Sequence, residues 1–206
     1  MDLELYKRST SFVLGFHGCD EQVGEAVLAG NAHLNSSENE YDWLGKGVYF
    51  WEGNPARAWQ FAEEAVTRKP YTTKGVIRQP FVLGAILDLG RCFSLQDTAC
   101  LDELTKGYEA LVAMTSKAAI EMPRNKGRDD DRALRNLDCA VIEAMHGLRE
   151  GMKYDPYDSV RGAFGEGGEL YEGSAFHKRG HVQIAVRNPT KCILGYFRPL
   201  KVRVEP

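Results

Sequence analysis

Short apolar runs, rich in β-branched and aromatic residues and bounded by Gly, Pro, Asn or Asp, predict the strands of this chain. They lie at residues 11–16 (SFVLGF), 47–51 (GVYFW), 81–89 (FVLGAILDL), 181–188 (HVQIAVRN) and in one or two segments of 191–204 (KCILGYFRPLKVRV). The first run ends at His17-Gly18, so we expect its strand to enter a turn there.

Amphipathic stretches with capping residues predict four helices. Asp20 can cap the first helix, which ends before Gly30. Asn54 as N-cap and Pro55 at the first helical position mark the start of the second. The four helices are expected at residues 20–28, 55–69, 97–117 and 132–150, with the charged linker 121–131 (EMPRNKGRDDD) between the last two.

The segment 161–180 (RGAFGEGGELYEGSAFHKRG) is rich in glycine and is expected to form a long mobile loop before the strand at 181–188. Strands at both ends of the chain, with helices grouped between them, predict the α+β class. At 206 residues we expect one domain, 1–206, in which the helices of residues 95–150 form an insertion.

The composition is typical of a globular protein, and together with the start of the chain and its cysteines it leads us to expect a cytoplasmic one. Hydrophobic residues make up 43% of the chain, and the formal net charge of −3 gives no basic field that would attract nucleic acid non-specifically. The start of the chain lacks the apolar core of a signal peptide, and no apolar run is long enough to cross a membrane. We therefore expect no membrane partner.

Five cysteines are scattered along the chain without a C-x-x-C pair: Cys19, Cys92, Cys100, Cys139 and Cys192. An odd, unclustered set argues against both a disulfide framework and a zinc site. It fits a reducing compartment, and we expect no metal.

Three strand positions carry a polar side chain beside a turn or a glycine-rich segment. They are His17 after VLGF, Tyr49 within GKGVYF and Gln183 within HVQIAV. The aromatic face of Tyr49 suits a flat cation, since a cation–π contact is worth about 0.5–2 kcal/mol. Gly45 and Gly47 would let the backbone approach a ligand closely.

These motifs carry a resemblance to a known family. GFHG, followed after roughly thirty residues by LGKGVYF and a short helix, resembles the poly(ADP-ribose) polymerase and diphtheria-toxin branch of the ADP-ribosyltransferases. That branch reads H-G-[ST], then F-G-K-G-I-Y-F, then a strand with the third catalytic residue. QIAVRNPTKCILGYF is similar to its last motif, with Gln183 at the position of the family's glutamate. The resemblance covers roughly residues 11–65 and 155–200, and the second part also looks like uncharacterised bacterial proteins with this domain.

The resemblance implies an ADP-ribosyltransferase-like split β-sheet with a helical insertion, which clamps the co-substrate NAD in a bent conformation. It implies that His17 hydrogen-bonds the adenosine ribose, that the Gly18 backbone holds the nicotinamide carboxamide, and that Tyr49 stacks on the nicotinamide ring. Ser37 and Tyr41 suggest contacts on the adenosine side, although a serine at that place also suits a turn.

The chain departs from the family pattern at two positions. Gln183 can bond a ribose hydroxyl but carries no negative charge and cannot act as a base, which argues for transfer of a single unit rather than chain elongation. Arg57 lies near the place where relatives have a serine, and its guanidinium could instead reach the pyrophosphate. Glu166 is the candidate for the missing acid, with Glu169 and Glu172 in the same loop as alternatives.

The function expected from these residues is that of an NAD-dependent mono-ADP-ribosyltransferase with a macromolecular acceptor. The acceptor stays open between protein and nucleic acid, since Arg161, Lys178 and Arg179 could bind a single strand without global basicity. Family analogy suggests a toxin or phage-defence effector, with an antitoxin or regulatory partner.

Alternatives remain open for the function and for single residues. With water as acceptor the protein would be an NAD glycohydrolase, and the missing carboxylate favours a non-catalytic NAD- or ADP-ribose-binding domain. His177 and His181 are alternative catalytic bases, or are merely solvated. Tyr49 could be a core aromatic, and Trp51, like the other two tryptophans, is expected to pack in the core or at its rim.

Overall fold

The computed structural model describes residues 12–67, 75–127 and 134–200. These residues form a mixed α+β fold with a seven-stranded, mostly antiparallel sheet, so the predicted α+β class is confirmed. The strands are β1 Phe12–Asp20, β2 Val48–Glu52, β3 Pro80–Asp88, β4 Cys92–Ser94, β5 Ser159–Phe164, β6 His181–Val186 and β7 Ile193–Phe197. The helices are α1 Glu21–Leu28, α2 Pro55–Thr67, α3 Thr98–Ala118, α4 Asn136–Gly151 and α5 Pro189–Cys192. None of these helices is of a length and apolarity that would let it cross a membrane.

The sheet is asymmetric around β1. Its strand order is β4-β5-β6-β2-β1-β3-β7, with β4 and β5 parallel and the other neighbours antiparallel. β1 pairs with β3 along all 9 of its residues. Its pairing with β2 in the described chain consists of Gly15 with Glu52 and Phe16 with Trp51. Beyond Phe16 the two strands part, and residues 17–20 of β1 have a strand neighbour on the β3 side alone.

Strand pairing defines two faces of the sheet, because alternate residues point to opposite faces and directly paired residues share one. Phe16, Trp51 and Gln183 are paired across β1, β2 and β6, and we call the face that carries them the front face. The back face carries His17 and Phe50, each one position away along its strand.

Buried clusters attach the helices to these two faces. On the back face Phe50 and Leu83 pack with Val27 of α1. On the front face α2 contributes Ala58 to one cluster and α4 contributes Ile142 to another. Full burial of a large apolar side chain is worth about 1.5–3 kcal/mol, so these contacts fix the helices over the sheet. The front face is therefore covered by α2 on one half and by the α3–α4 pair on the other.

The strands and helix caps predicted from local sequence are confirmed. The predicted strands at 11–16, 47–51, 81–89 and 181–188 correspond to β1, β2, β3 and β6, and β7 lies within 191–204. Asp20 Oδ1 accepts from the Gln22 N–H at 3.1 Å. Asn54 Oδ1 accepts from the Arg57 N–H at 3.0 Å.

Three predicted boundaries are wrong. His17-Gly18 is not a turn, because β3 supplies a pairing partner as far as Asp20 and β1 continues to that residue. The segment 161–180 is not a loop throughout, since its first residues complete β5 and pair with β6. α4 begins at Asn136 rather than at residue 132.

Two predicted features fall on residues that the structure does not describe, and two short elements of the structure were not predicted. The expected end of α2 near residue 69 and residues 128–132, where the charged linker meets the last predicted helix, lie outside the described residues. β4 and α5, with 3 and 4 residues, are too short to show a period in the sequence.

Gly15 lies where β1 meets β2, and the fold leaves no room there for a side chain. A Cβ at this position would lie 2.6 Å from Leu87 Cδ1 and 2.9 Å from Phe50 Cβ. We expect Gly15→Ala to lower the free energy of unfolding by about 1–3 kcal/mol, because overpacking forces the neighbouring side chains and backbone to shift. Urea unfolding measures this change.

Gly195→Ala in β7 is the matched control. A Cβ on Gly195 would meet nothing within 4 Å. The control should change the free energy of unfolding by less than about 1 kcal/mol, and in the stabilising direction, because alanine restricts the unfolded chain. Equal losses in the two variants would contradict the tight packing at Gly15.

Candidate functional site

Four side chains meet on the front face beside Gln183. Arg57 of α2 donates from Nη2 to Glu166 Oε2 at 2.9 Å, and its guanidinium carbon lies 5.6 Å from the centre of the Trp51 ring. Nδ1 of His181 lies 3.6 Å from the same Glu166 oxygen. We call Trp51, Arg57, Glu166 and His181 the front-face cluster. It joins β2, α2, β6 and the loop that precedes β6.

Much of the hydrogen-bonding capacity of the front-face cluster is unused. The side chains of Arg57 and His181 are 8% and 0% exposed. Nevertheless Arg57 Nε and Nη1, Trp51 Nε1 and His181 Nε2 have no hydrogen-bond partner within the described residues. An unpaired buried polar group costs about 1–3 kcal/mol, and native proteins rarely leave one. Several unpaired groups in one place therefore indicate a ligand site.

The imidazole of His181 is held in one tautomer. Its Nδ1 lies 2.8 Å from the carbonyl oxygen of Arg179, which can only accept, so Nδ1 carries the proton. Burial lowers the pKa of His181 below its ordinary value, although the Arg179 carbonyl and the Glu166 carboxylate oppose the shift. At neutral pH the ring is therefore neutral, and Nε2 presents a lone pair.

Gln183 lies on the front face of β6, two residues after His181. It is paired with Trp51 of β2 and with Gly162 of β5. No hydrogen bond of the described chain engages its carboxamide, so the donor and the acceptor of that group are both available to a ligand.

Tyr49 shares the front face with Gln183, but its hydroxyl is already used. The hydroxyl donates to the Gly45 carbonyl at 2.7 Å and accepts from the Leu44 N–H at 2.8 Å. Burial, reinforced by Asp42, raises the pKa of Tyr49 well above its ordinary value. The phenol therefore stays neutral and holds the glycine turn before β2, and it is not free for proton transfer.

The two glycines of that turn make room for protein. Gly45 has φ 74°, and a Cβ there would lie 2.5 Å from Glu143 Oε1 of α4. A Cβ on Gly47 would lie 2.8 Å from the Val186 carbonyl oxygen of β6. The close approach that the sequence suggested for a ligand is thus taken by α4 and β6.

His17 lies on the back face, opposite Tyr49 and Gln183. Its ring meets Phe50 edge-on at 5.9 Å, and its Nδ1 lies 2.8 Å from the Tyr49 carbonyl oxygen. Nδ1–H thus donates across the place where β1 and β2 part. Burial lowers the pKa of His17, against the effect of this hydrogen bond, so the ring is neutral and Nε2 is left as an acceptor.

Gly18 is a point of close approach between β1 and α2. It lies on the front face of β1, two residues after Phe16, and a Cβ there would collide with the Ala58 carbonyl oxygen of α2. The position of α2, and with it that of Arg57, therefore depends on a glycine at this place.

Ser37 and Tyr41 lie in the segment that leads to β2. The backbone of Ser37 exchanges two hydrogen bonds with Gly47, at 2.8 and 3.1 Å, and its hydroxyl accepts from Asn39 Nδ2 at 2.9 Å. The Tyr41 carbonyl accepts from the Arg135 N–H at 3.3 Å. These contacts support a turn-forming role for Ser37.

Among the three candidate acids of the loop, Glu166 is the one that contacts the cluster. Its carbonyl accepts from the Arg179 N–H at 2.9 Å, which closes the loop at its base. Glu169 forms a backbone bridge with His177 farther out, and both side chains are exposed, as is Glu172. The structure thus brings together Arg57, Glu166 and the face that bears Gln183.

Sequence reasoning undervalued Trp51 and His181. The prediction that Trp51 packs in the core is confirmed, since it clusters with Phe16 and Ala58, but packing does not reveal its unpaired Nε1. His181 is predicted from the sequence only as one of two alternative bases. The alternation of side chains along a strand could have pointed to both residues, because Trp51 follows Tyr49 by two residues and His181 precedes Gln183 by two. Residues two apart on a strand share a face.

Within the described ranges, no three His, Cys, Asp or Glu side chains are grouped so that they could hold a metal ion. The five cysteines are free and buried. Comparisons with protein-family models, with curated proteins and with solved structures find no match. Any assignment of function therefore depends on the front-face cluster and its surroundings.

The Arg57–Glu166 pair should be strongly coupled. Glu166→Gln leaves a buried guanidinium without its counter-charge, so we expect it to lower the free energy of unfolding by about 3–5 kcal/mol. Arg57→Gln should do the same, and the double variant should lose less than the sum by more than about 1 kcal/mol. Urea unfolding of the four proteins measures the coupling.

The exposed pair Arg198–Glu25 is the control cycle. Its atoms lie 2.6 Å apart, but the side chains are 57% and 45% exposed. Solvent screening should hold its coupling below about 1 kcal/mol. Additive losses in the Arg57–Glu166 cycle would mean that this contact is not formed in solution.

Proposed function

We propose that this protein is an NAD-dependent mono-ADP-ribosyltransferase, which transfers one ADP-ribose unit to a macromolecule. The observation that carries the proposal is the set of buried, unpaired donors of Arg57 and Trp51 on the face that bears Gln183. This set lies beside the place where β1 and β2 part. The three strands expected to bear the site are neighbours in the sheet, which supports a split sheet of the ADP-ribosyltransferase type.

The donor set fits the chemistry of NAD. A pyrophosphate offers several anionic acceptor oxygens, and the planar guanidinium matches phosphate geometry. Nε and Nη1 of Arg57 have no partner in the described chain, and Trp51 Nε1 adds a neutral donor. Arg57 would hold the pyrophosphate in this proposal, while Glu166 keeps the guanidinium in place through Nη2.

Gln183 orients the substrate and does not ionise. Its unengaged carboxamide is suited to a ribose hydroxyl, to which it can both donate and accept. It cannot stabilise a cation as a carboxylate does, and it cannot take a proton. This chemistry supports single transfer over chain elongation, because Gln183 lacks the carboxylate that the family pattern has at this position.

His17 and Tyr49 have supporting roles in the proposal. His17, on the back face, holds β2 in place through its hydrogen bond to the Tyr49 carbonyl. Tyr49 offers the face of its ring to the nicotinamide, since its hydroxyl is bound to the turn. Gly18 supplies backbone groups beside α2.

Labelled NAD tests the function directly. The protein is incubated with cell lysate and NAD labelled in the ADP-ribose, and the product is digested with protease or with nuclease. We expect label on a macromolecule and an equal amount of free nicotinamide, and the digestion that releases the label identifies the acceptor class. Nicotinamide release without a labelled macromolecule would indicate a glycohydrolase, and NAD bound but uncleaved for days would indicate a binding domain. Either result contradicts the transferase.

Variants connect that activity to the site. Gln183→Ala and Arg57→Gln should each lower the rate about 100-fold or more, because each removes a preorganised polar contact. Gln60→Ala changes an exposed glutamine of α2 and should leave the rate unaltered.

Gln183→Glu restores the charge that the family pattern has at this position. We expect it to change the acceptor preference or to raise the rate of NAD hydrolysis, because a carboxylate can stabilise the cationic centre and activate water. Nicotinamide release and acceptor labelling are measured side by side. No change in either would remove Gln183 from the active centre.

A further inference from the structure

We propose that Nε2 of His181 is the proton acceptor of this site: it takes the proton of the acceptor nucleophile as the new bond to the ribose forms. The inference rests on the proposed function and assigns the base that Gln183 cannot provide. It follows from the position, the tautomer and the surroundings of the imidazole.

The position of the imidazole favours this role. His181 and Gln183 are two residues apart on β6 and share the front face. The His181 side chain is fully buried, and its Nε2 has no hydrogen-bond partner in the part of the chain that the structure describes. A buried nitrogen lone pair next to a free carboxamide is an uncompensated acceptor, which a ligand hydroxyl or amine would satisfy.

The tautomer favours it as well. The Arg179 carbonyl fixes the proton on Nδ1, so Nε2 is the basic atom of the neutral ring. Once Nε2 has taken a proton, the imidazolium keeps its Nδ1–H directed at that carbonyl, with Glu166 Oε2 at 3.6 Å. The same neighbours thus orient the base before transfer and stabilise the charge after it.

Charged side chains from three different parts of the described chain act on this ring. Glu166 from the loop favours the protonated form, whereas Arg57 from α2 and Arg135 ahead of α4 oppose it. Burial has the largest effect: it also lowers the pKa of His181 and keeps the ring neutral in the free protein. A phosphate bound by Arg57 would offset one of the two guanidinium charges, and so would make the ring a stronger base when substrate is present.

The rings around His181 border a surface groove. Trp43 stacks on the imidazole with ring centres 6.2 Å apart, and Phe164 lies at 6.0 Å. Both rings also line a groove of about 420 Å³ between β5, α3 and α4. Arg135 lies 4.1 Å from the Trp43 ring centre on the wall of the same groove. The aromatic side chains of Trp43 and Phe164 therefore lie between the base and the groove.

The proton and electron balance is simple. The bond between the ribose C1′ and the nicotinamide nitrogen breaks, and its electron pair leaves with nicotinamide, which becomes neutral. The nucleophile forms the new bond to C1′ with a lone pair and gives its proton to His181 Nε2. Release of that proton to solvent restores the neutral ring, and no oxidant or metal is needed.

Two measurements on one set of proteins test the inference. In the free protein, the ¹⁵N resonances of the histidine rings are followed from pH 8 to pH 5, and we expect His181 to stay neutral, with its proton on Nδ1, below the ordinary pKa of about 6.5. With NAD and acceptor, we expect His181→Asn to lower kcat about 100-fold or more and to change KM for NAD less than about threefold, because a base acts in the transition state. In this variant the fall of kcat/KM at acid pH, which reports protonation of His181, should also disappear.

The Asn variant is chosen because its amide can still donate to the Arg179 carbonyl. His181→Gln, whose amide reaches toward the position of Nε2, should show the same loss of kcat if Asn fails to fold. His146→Asn is the matched control: His146 is half-buried with a buried, unpaired Nε2, and its pKa is lowered to about 4, mainly by burial, but it packs against Phe93 and Tyr157 away from the cluster. It should retain the kcat and pH profile of the unchanged protein.

The outcomes separate the two proposals. If the unchanged protein releases no nicotinamide, the proposed function fails and the role of His181 fails with it. If the unchanged protein is active and His181→Asn keeps its kcat and the fall of kcat/KM at acid pH, the inference alone is overturned. A proton on Nε2 in the free protein overturns it as well, whatever the activity.

Discussion

The unequal pairing of β1 is the constraint on which the rest of the structure depends. One edge of this strand is paired with β3 to its last residue, and the other edge is paired with β2 at two positions. Residues 17–20 are therefore held rigidly from one side while the other side is free of a strand. α2 fits over this region because Gly18 has no side chain to meet Ala58, and Arg57 arrives over the front face as a result. A local failure of pairing thus places a cation beside Gln183.

The front-face cluster is costly for a protein that binds nothing. A buried ion pair such as Arg57–Glu166 gains little net stability, since desolvation opposes the attraction between the charges. The unpaired nitrogens of Arg57, Trp51 and His181 add about 1–3 kcal/mol each to that cost. Packing alone would be better served by apolar side chains of the same size. A ligand with acceptor oxygens for the donors and a proton donor for His181 would offset the cost, which is why function is the simplest explanation of the cluster.

Local patterns in the sequence predicted most of the fold, whereas long-range contacts decided the site. Caps such as Asp20 and Asn54 bond to neighbours two or three residues away, so the sequence alone reveals them. The continuation of β1 through His17-Gly18 depends on β3, some sixty residues on, and no local signal could show it. The pairing of Arg57 with Glu166 spans 109 residues. The strand period could have placed Trp51 and His181 on the site face, but only the fold shows that their polar atoms are unpaired.

The position of His17 is consistent with a site that lies on the opposite face. If the register of Phe16 with Trp51 continued, Gly18 would stand opposite Tyr49, and backbone groups would close the gap between β1 and β2. The carbonyl of Tyr49 accepts from the imidazole of His17 instead. The His17 side chain thus uses the carbonyl that further pairing of β1 with β2 would need. It links the two strands and at the same time prevents them from pairing there. His17 therefore supports the front face indirectly. Its imidazole bonds to the backbone carbonyl of Tyr49, and the ring of Tyr49 points to the front face.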